Sequence, residues 1–360
     1  MDKKRVVITG LGIIASNGIG REAFFKALAK GISGIKPISL FDTSEFEIKA
    51  AGEIKDFAPE QFLGPKGLRI LDRSTKLVNC AAKLALEDAK LEINEENACN
   101  VGVSIGNTLG SLQSVCDFDI EAIKEGPRYV NPALFPNTVV NSAASQVSVR
   151  FDIKGFNITI STGFTASLDA INYASDFLKT GRADIVLSGG VEELCVQTFI
   201  GFYKTGLMRK LNIGEGSALL VLEDLNSALG RGANIHAEVL GFGSGWGGKQ
   251  GIKKAIAESM DNSGIAKQDI DYIYSGVNSD NKNDVAETKA LEELFGKRKD
   301  MIINCIKPLT GECYSASGSL QAAAGLGAIE GQGARNVLIN TFGPFGNNAS
   351  LVISKFSEDK

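Results

Sequence analysis

The chain runs to 360 residues, 44% hydrophobic and 22% charged, an ordinary globular composition with length enough for two domains or one large duplicated one. A formal net charge of −4, with basic triplets only at 3–5 and 297–299, argues against a nucleic-acid binder, which carries a basic patch or stripe. One histidine (His236) and six scattered cysteines (Cys80, Cys99, Cys116, Cys195, Cys305 and Cys313) without a C-x-x-C pair argue against a zinc site, and no cofactor is expected.

The N-terminus offers a charged start and a short apolar run to Ile8, too short for a signal peptide. No apolar stretch reaches the ~18–20 residues of a membrane span, so a cytoplasmic protein is expected. The first predicted strand, 5–9, meets Gly10-Leu11-Gly12-Ile13-Ile14-Ala15, which imitates a dinucleotide-binding fingerprint. The imitation fails: Ser16-Asn17-Gly18-Ile19-Gly20 separates it from the helix predicted over 21–30, and no strand ending in Asp or Glu follows at the right distance. Next come a helix over 74–91, a strand over 101–105 and helices over 111–124 and 138–151. A strand over 157–161 leads into a helix over 165–180, and strands follow over 184–188 and 218–222. His236 lies in an alternating run, 234–239, and reads as a strand histidine. The remainder alternates in the same way: helix 251–263, strand 272–275, helix 285–295, strand 301–305, helix 315–331, and strands 336–340 and 350–354.

Such alternation is the mark of an α/β protein. The helices holding Ala143-Ala144-Ser145 and Ala316 to Ala328 are rich in small residues, and both are expected at the centre of the molecule, packed on all sides. A weak repeat is visible as well. A small-residue helix, Gly181-Arg182-Ala183-Asp184, a buried strand and Gly189 are matched by a second helix, Gly333-Ala334-Arg335-Asn336, a strand and Gly343. Two similar halves are implied.

Most of the chemical information sits between Asn157 and Glu192. A buried strand runs through Ile158-Thr159-Ile160 into Ser161-Thr162-Gly163-Phe164-Thr165 and then a long helix. A sharp strand-to-helix elbow holds one side chain at a helix N-terminus, where backbone N–H groups and the helix dipole stabilise a thiolate. The elbow residue here is Phe164, which has no nucleophilic atom.

From Asn137 to Glu192 the sequence resembles the segment around the active-site cysteine of β-ketoacyl-[acyl-carrier-protein] synthases, with Phe164 at the cysteine position. The likeness spans nearly the whole chain: Val6-Val7-Ile8-Thr9-Gly10-Leu11-Gly12, Gly214-Glu215-Gly216, Arg231-Gly232-Ala233 and Ile270-Asp271-Tyr272-Ile273. Phe342-Gly343-Pro344-Phe345-Gly346-Asn347-Asn348 is similar to the family's closing glycine-rich turn. Counting back from Asp284 and Glu287 puts the first of the family's catalytic histidines at Gly276. The Lys-x-x-Thr-Gly-His motif reads Lys307-Pro308-Leu309-Thr310-Gly311-Glu312, so Lys307 is retained and Glu312 stands for the second histidine. The stretch from Tyr203 to Gly214 looks shortened relative to catalytic members. Cys313 is a poor substitute nucleophile, because the neighbouring carboxylate raises a thiol's pKa. A Lys307–Glu312 ion pair is the expected filling of the site.

The resemblance implies a thiolase-like fold, duplicated halves (1–230 and 231–360) in one five-layer α/β/α/β/α body. It implies a non-catalytic subunit of the chain-length-factor type, paired with a catalytic β-ketoacyl synthase and served by an acyl carrier protein in type II polyketide, aryl polyene or fatty-acid-like synthesis. The family pairs through the strand matching Asn157, Ile158, Thr159, Ile160 and Ser161. A helix and loop of one subunit help wall the partner's acyl tunnel, which assigns that role to Leu112, Val115, Cys116, Phe118, Leu134 and Phe135. Chain-length factors usually carry Gln at the cysteine position, so Phe164 leaves any decarboxylase role in doubt. The alternative is a stand-alone protein that binds an acyl chain or an acyl carrier protein without condensing anything; acyl transfer through Cys313 is a third reading.

Overall fold

The computed structural model describes residues 4–209, 211–277, 281–296, 298 and 300–358, so Lys3, Lys297 and Lys299 of the basic triplets lie outside the described residues. In chain order the principal elements are β1 (Val6–Ala15), α1 (Arg21–Ala29), α2 (Arg73–Asp88), β2 (Val101–Gly106), α3 (Leu112–Glu125), α4 (Ser142–Phe151), β3 (Asn157–Ile160), α5 (Ala166–Lys179), β4 (Ile185–Glu192), α6 (Val196–Thr205) and β5 (Gly216–Asp224). They continue with β6 (Ala237–Trp246), α7 (Lys249–Ser263), β7 (Tyr272–Tyr274), α8 (Asn281–Phe295), β8 (Ile302–Asn304), α9 (Ser317–Gly331), β9 (Asn336–Phe342) and β10 (Asn347–Ser354).

The repeat in the sequence is a repeat in topology. The strands follow the order β8-β7-β9-β10-β6-β1-β5-β4-β2-β3. Counted outward from the β6–β1 junction, each half therefore uses its first, fifth, fourth, second and third strand. In each half the fourth strand runs parallel to the second and antiparallel to the fifth. The halves join over the short register Val6–Val239, Val7–Glu238 and Ile8–Ala237. Helices α5 and α9, which lead into the two fourth strands, pack together between the halves. Helices α2 and α4 cover one outer face, and α7 and α8 the other. This is the five-layer, thiolase-like arrangement.

Small residues make the layers possible. A Cβ on Gly318 of α9 would lie 2.7 Å from Leu168 Cγ on α5, so this close crossing needs glycine. A Cβ on Gly12 would lie 1.9 Å from the Ala81 carbonyl of α2. Gly10-Leu11-Gly12 is thus not a loop: the strand predicted to end at residue 9 continues to Ala15, with α2 laid directly on its glycines. Two further expectations need correction. The helix predicted over 138–151 starts at Ser142, because the preceding turn, Pro132–Thr138, holds Pro136 and Val139 is extended. It is also an outer helix, since Ala143, Ala144 and Val147 are buried while Val149 is exposed. Small residues on one face serve close packing on that face only.

His236 becomes part of a charged knot between layers. Its Nδ1 lies 2.8 Å from Glu330 of α9 and its Nε2 3.2 Å from Asp88 of α2, and Arg21 pairs with the same two carboxylates. Burial alone lowers the imidazole pKa, but hydrogen bonds to Asp88 and Glu330 outweigh it and hold the value above the ordinary one. Folding therefore favours the charged ring. That stabilisation is full below the unfolded value of about 6.5 and is lost as the pH rises through the higher folded value. His236→Gln should accordingly cost most stability near about pH 6 and progressively less toward about pH 9. Urea midpoints of the two proteins across that range check it; a deficit that grows with pH would contradict it.

Candidate functional site

Between Ile160 and the start of α5 the chain makes a tight turn, Gly163–Thr165, in which Gly163 takes a φ of +76°. That conformation suits glycine and sets Phe164 at the head of α5, only 6% exposed. Its ring meets Tyr314 edge-on at 5.5 Å between centroids and Phe202 at 6.5 Å, while Phe202 stacks on Tyr314 at 4.6 Å. Buried Phe199 and half-buried Phe46 and Phe41 continue the cluster. Aromatic carbon fills the place where an elbow nucleophile would work.

Two residues before Tyr314, Glu312 is fully buried and lies with Oε2 2.7 Å from Lys307 Nζ. Its Oε1 accepts from the Tyr314 N–H at 3.0 Å and from the Ser317 hydroxyl. Lys307 also donates to the Gly276 carbonyl at 2.8 Å. The Gly276 N–H donates to Glu287 Oε1 at 3.2 Å, and that oxygen also accepts from Asn340 at 3.0 Å. Burial pushes the Glu287 carboxyl up. One lysine thus ties positions 276 and 312 together, and Phe164 reaches them through Tyr314. No side chain has room at 276, where a Cβ would stand 2.7 Å from the Phe342 ring. The Cys313 thiol is driven well above its ordinary pKa by burial and then by Glu312, so it offers no thiolate.

Outside the aromatic plug lies a cleft of about 830 Å³. Phe164, Phe202 and Tyr314 form its floor, with Asp169 in its wall and Trp246 and Phe345 at its rim. Burial raises the Asp169 pKa, partly offset by hydrogen bonds from Thr162 and Thr165. Gly276, Lys307 and Glu312 do not line the cleft. The ion pair lies buried beneath the floor, and the cleft ends on the rings of Phe164, Phe202 and Tyr314.

The residues assigned to a partner's tunnel sit elsewhere. Leu112, Val115, Cys116 and Phe118 are half-buried on α3, Leu134 and Phe135 are exposed, and the rings of Phe118 and Phe135 touch at 6.1 Å. None of the six lines the cleft. They lie on the outside of the fold, where α3 packs against the Pro132–Thr138 turn, and Val139, Val140 and Val149 are exposed as well. Beside them β3, Asn157–Ile160, is an edge strand that among the described residues pairs only with β2, and Ser161 follows it exposed. The Asn157 side chain reaches back to the Ala144 carbonyl and the Ser148 hydroxyl.

Two neighbouring glutamates escaped the sequence reading. Glu192 and Glu193, at the end of β4, are buried, and burial pushes them to about 7 and about 8 respectively. Glu192 accepts from the Thr108 and Leu109 N–H groups and Ser315, and Glu193 from Ser74 and Gln113. Together they fix the loop between β2 and α3. The aromatic plug was also missed. Its one sequence signal is the helical spacing of Phe199, Phe202 and Tyr203.

Two family descriptions match the chain: β-ketoacyl synthase, N-terminal domain, over residues 3–228, and β-ketoacyl synthase, C-terminal domain, over residues 246–337. The chain is 33% identical to 3-oxoacyl-[acyl-carrier-protein] synthase 2 of Vibrio cholerae over 89% of its length and 85% of that protein's. It is 30% identical to the protein of the same name from Coxiella burnetii, over 99% of both. Among solved structures, the ishigamide ketosynthase/chain length factor superposes with a TM-score of 0.92 at 27% identity, covering 99% of this chain and 100% of that one.

Proposed function

The chain belongs to the β-ketoacyl synthase family, and from that premise we propose that it is a non-condensing, chain-length-factor-like subunit that pairs with an active synthase and helps bound the acyl tunnel of its partner. The observation that carries this reading is the filled site. Where the resemblance puts a nucleophilic cysteine and two histidines, this chain has a buried phenylalanine, a glycine without side-chain space and a glutamate held by Lys307. Condensation needs a nucleophile to carry the acyl chain and donors aimed at the developing enolate. Neither is present at these positions. The likeness to a ketosynthase/chain length factor supports the pairing, and an exposed apolar surface beside an open strand edge is what such pairing would cover. An acyl carrier protein would deliver substrate to the pair.

Co-expression with a cysteine-bearing synthase from the same genomic neighbourhood tests the reading. A stable pair should form, and Phe118→Ala should lengthen its products by one or more extension units, because space at a tunnel's end limits a growing chain. Leu112, Val115, Cys116 and Phe118, each enlarged and each shrunk in turn, leave product length unchanged if the subunit is only a scaffold. The open cleft favours a second reading, a stand-alone protein that binds an acyl chain or its carrier. Under it the chain is a well-behaved monomer by light scattering and ignores the synthase.

A further inference from the structure

Helix α3 is fourteen residues long and has no buried side chain. A helix of that length is marginal in water by itself, and here Ile120 and Ile123 stand 46% and 82% exposed. It adjoins the turn holding Phe135, exposed Val139 and Val140, and, through α4, the open edge of β3. The charge on α3 itself is one-sided. Asp117, Asp119, Glu121 and Glu125 face Lys124 alone on α3, and none of the four carboxylates makes a salt bridge among the described residues. Asp117 accepts from the Gln113 side chain within the same helix, at 2.8 Å.

An edge strand that pairs with its own copy does so about a two-fold axis, and such an interface sets each patch against itself. A second copy of this chain would bring α3 carboxylates toward α3 carboxylates while shielding them from water. A homologous subunit with lysine or arginine on the matching helix meets the same apolar surface without that repulsion. We infer that acidic α3 selects the partner: it disfavours self-pairing and favours a homologous subunit whose corresponding helix is basic. This rests on the pairing proposed above and names the chemistry of the partner's face.

The probe is a charge-reversed copy of the full chain, D117K/D119K/E125K. These three residues are exposed, and the change turns four acids and one base on α3 into one acid and four bases. Wild type and reversed copy, differently tagged and co-expressed, are counted by native mass spectrometry. The mixed dimer should exceed random pairing on the order of tenfold at low salt, and the bias should fade near about 1 M salt, where charges are screened within about 3 Å. The neutral D117N/D119N/E125Q chain gives a second measurement: its self-association should be tighter than wild type. Random pairing at low salt, or neutral and wild-type chains that self-associate alike, overturns the charge inference and leaves the pairing reading standing. Chains that pair neither with themselves nor with the reversed copy overturn both.

Discussion

Purified alone, the protein is expected to form no ketoacyl product from acyl and malonyl carrier proteins, and Phe164→Cys is expected to leave that result unchanged. The substitution would put a thiol at the head of α5, where the helix N-terminus favours the thiolate. The cysteine should therefore become acylated, visible as a mass adduct. The second half of the reaction still lacks its donors. Each oriented donor to a developing oxyanion is worth about 10²–10³ in rate, so losing both leaves the variant at least about 10⁴-fold below a catalytic homologue. Glu312 adds a negative charge close to the point where the enolate would form. Restoring histidine at 276 does not solve the problem either, because the Phe342 ring lies 2.7 Å from its would-be Cβ. A full reversion, F164C/G276H/E312H, should need Phe342 reduced as well. Sustained ketoacyl formation by the wild-type chain, free of contaminating synthase, would end this account.

The second large effect concerns stability. Lys307→Met should cost about 3–5 kcal/mol, because it strands the fully buried Glu312 carboxylate without its cation. Lys307→Met/Glu312→Gln should recover most of the loss. The amide keeps an acceptor for the Tyr314 N–H and the Ser317 hydroxyl, while the charge that needed Lys307 is gone. Guanidinium midpoints of wild type, both single variants and the double variant form a cycle that isolates the coupling. A Lys307→Met deficit under about 1 kcal/mol, the range of an exposed pair, would contradict the geometry.

Buried aromatic rings and a buried ion pair fill this site. Phe164, Phe202 and Tyr314 close it from the cleft side, and Lys307 neutralises the carboxylate behind them. The retained lysine has a structural partner in Glu312 and a second one in the Gly276 carbonyl. Meanwhile the loop fixed by Glu192 and Glu193 joins this closed site to α3, so the surface that would face a partner begins where the filled site ends.

The α/β order, the repeat, the elbow at Phe164 and the residues standing at 276 and 312 could all be read from the sequence, because each is written in contiguous residues. Alternating strand and helix patterns, a glycine after each central helix, and motifs such as Lys307-Pro308-Leu309-Thr310-Gly311-Glu312 need only local neighbours to be recognised. Other features depend on which face meets which. Gly10 and Gly12 imitated a dinucleotide fingerprint after a strand ending at residue 9; they are part of the strand itself, because α2 approaches them to backbone contact. Ala143 and Ala144 looked central; they lie in an outer layer because only one side of α4 is covered. The apolar residues of α3 have the helical spacing of a core stripe, and only the missing neighbours make them surface. The same holds for the aromatic plug and for His236, whose partners come from distant α2 and α9. Periodicity tells that a face is apolar or a side chain ionisable, but burial and pairing are set by residues far off in the chain, and those the tertiary structure alone brings together.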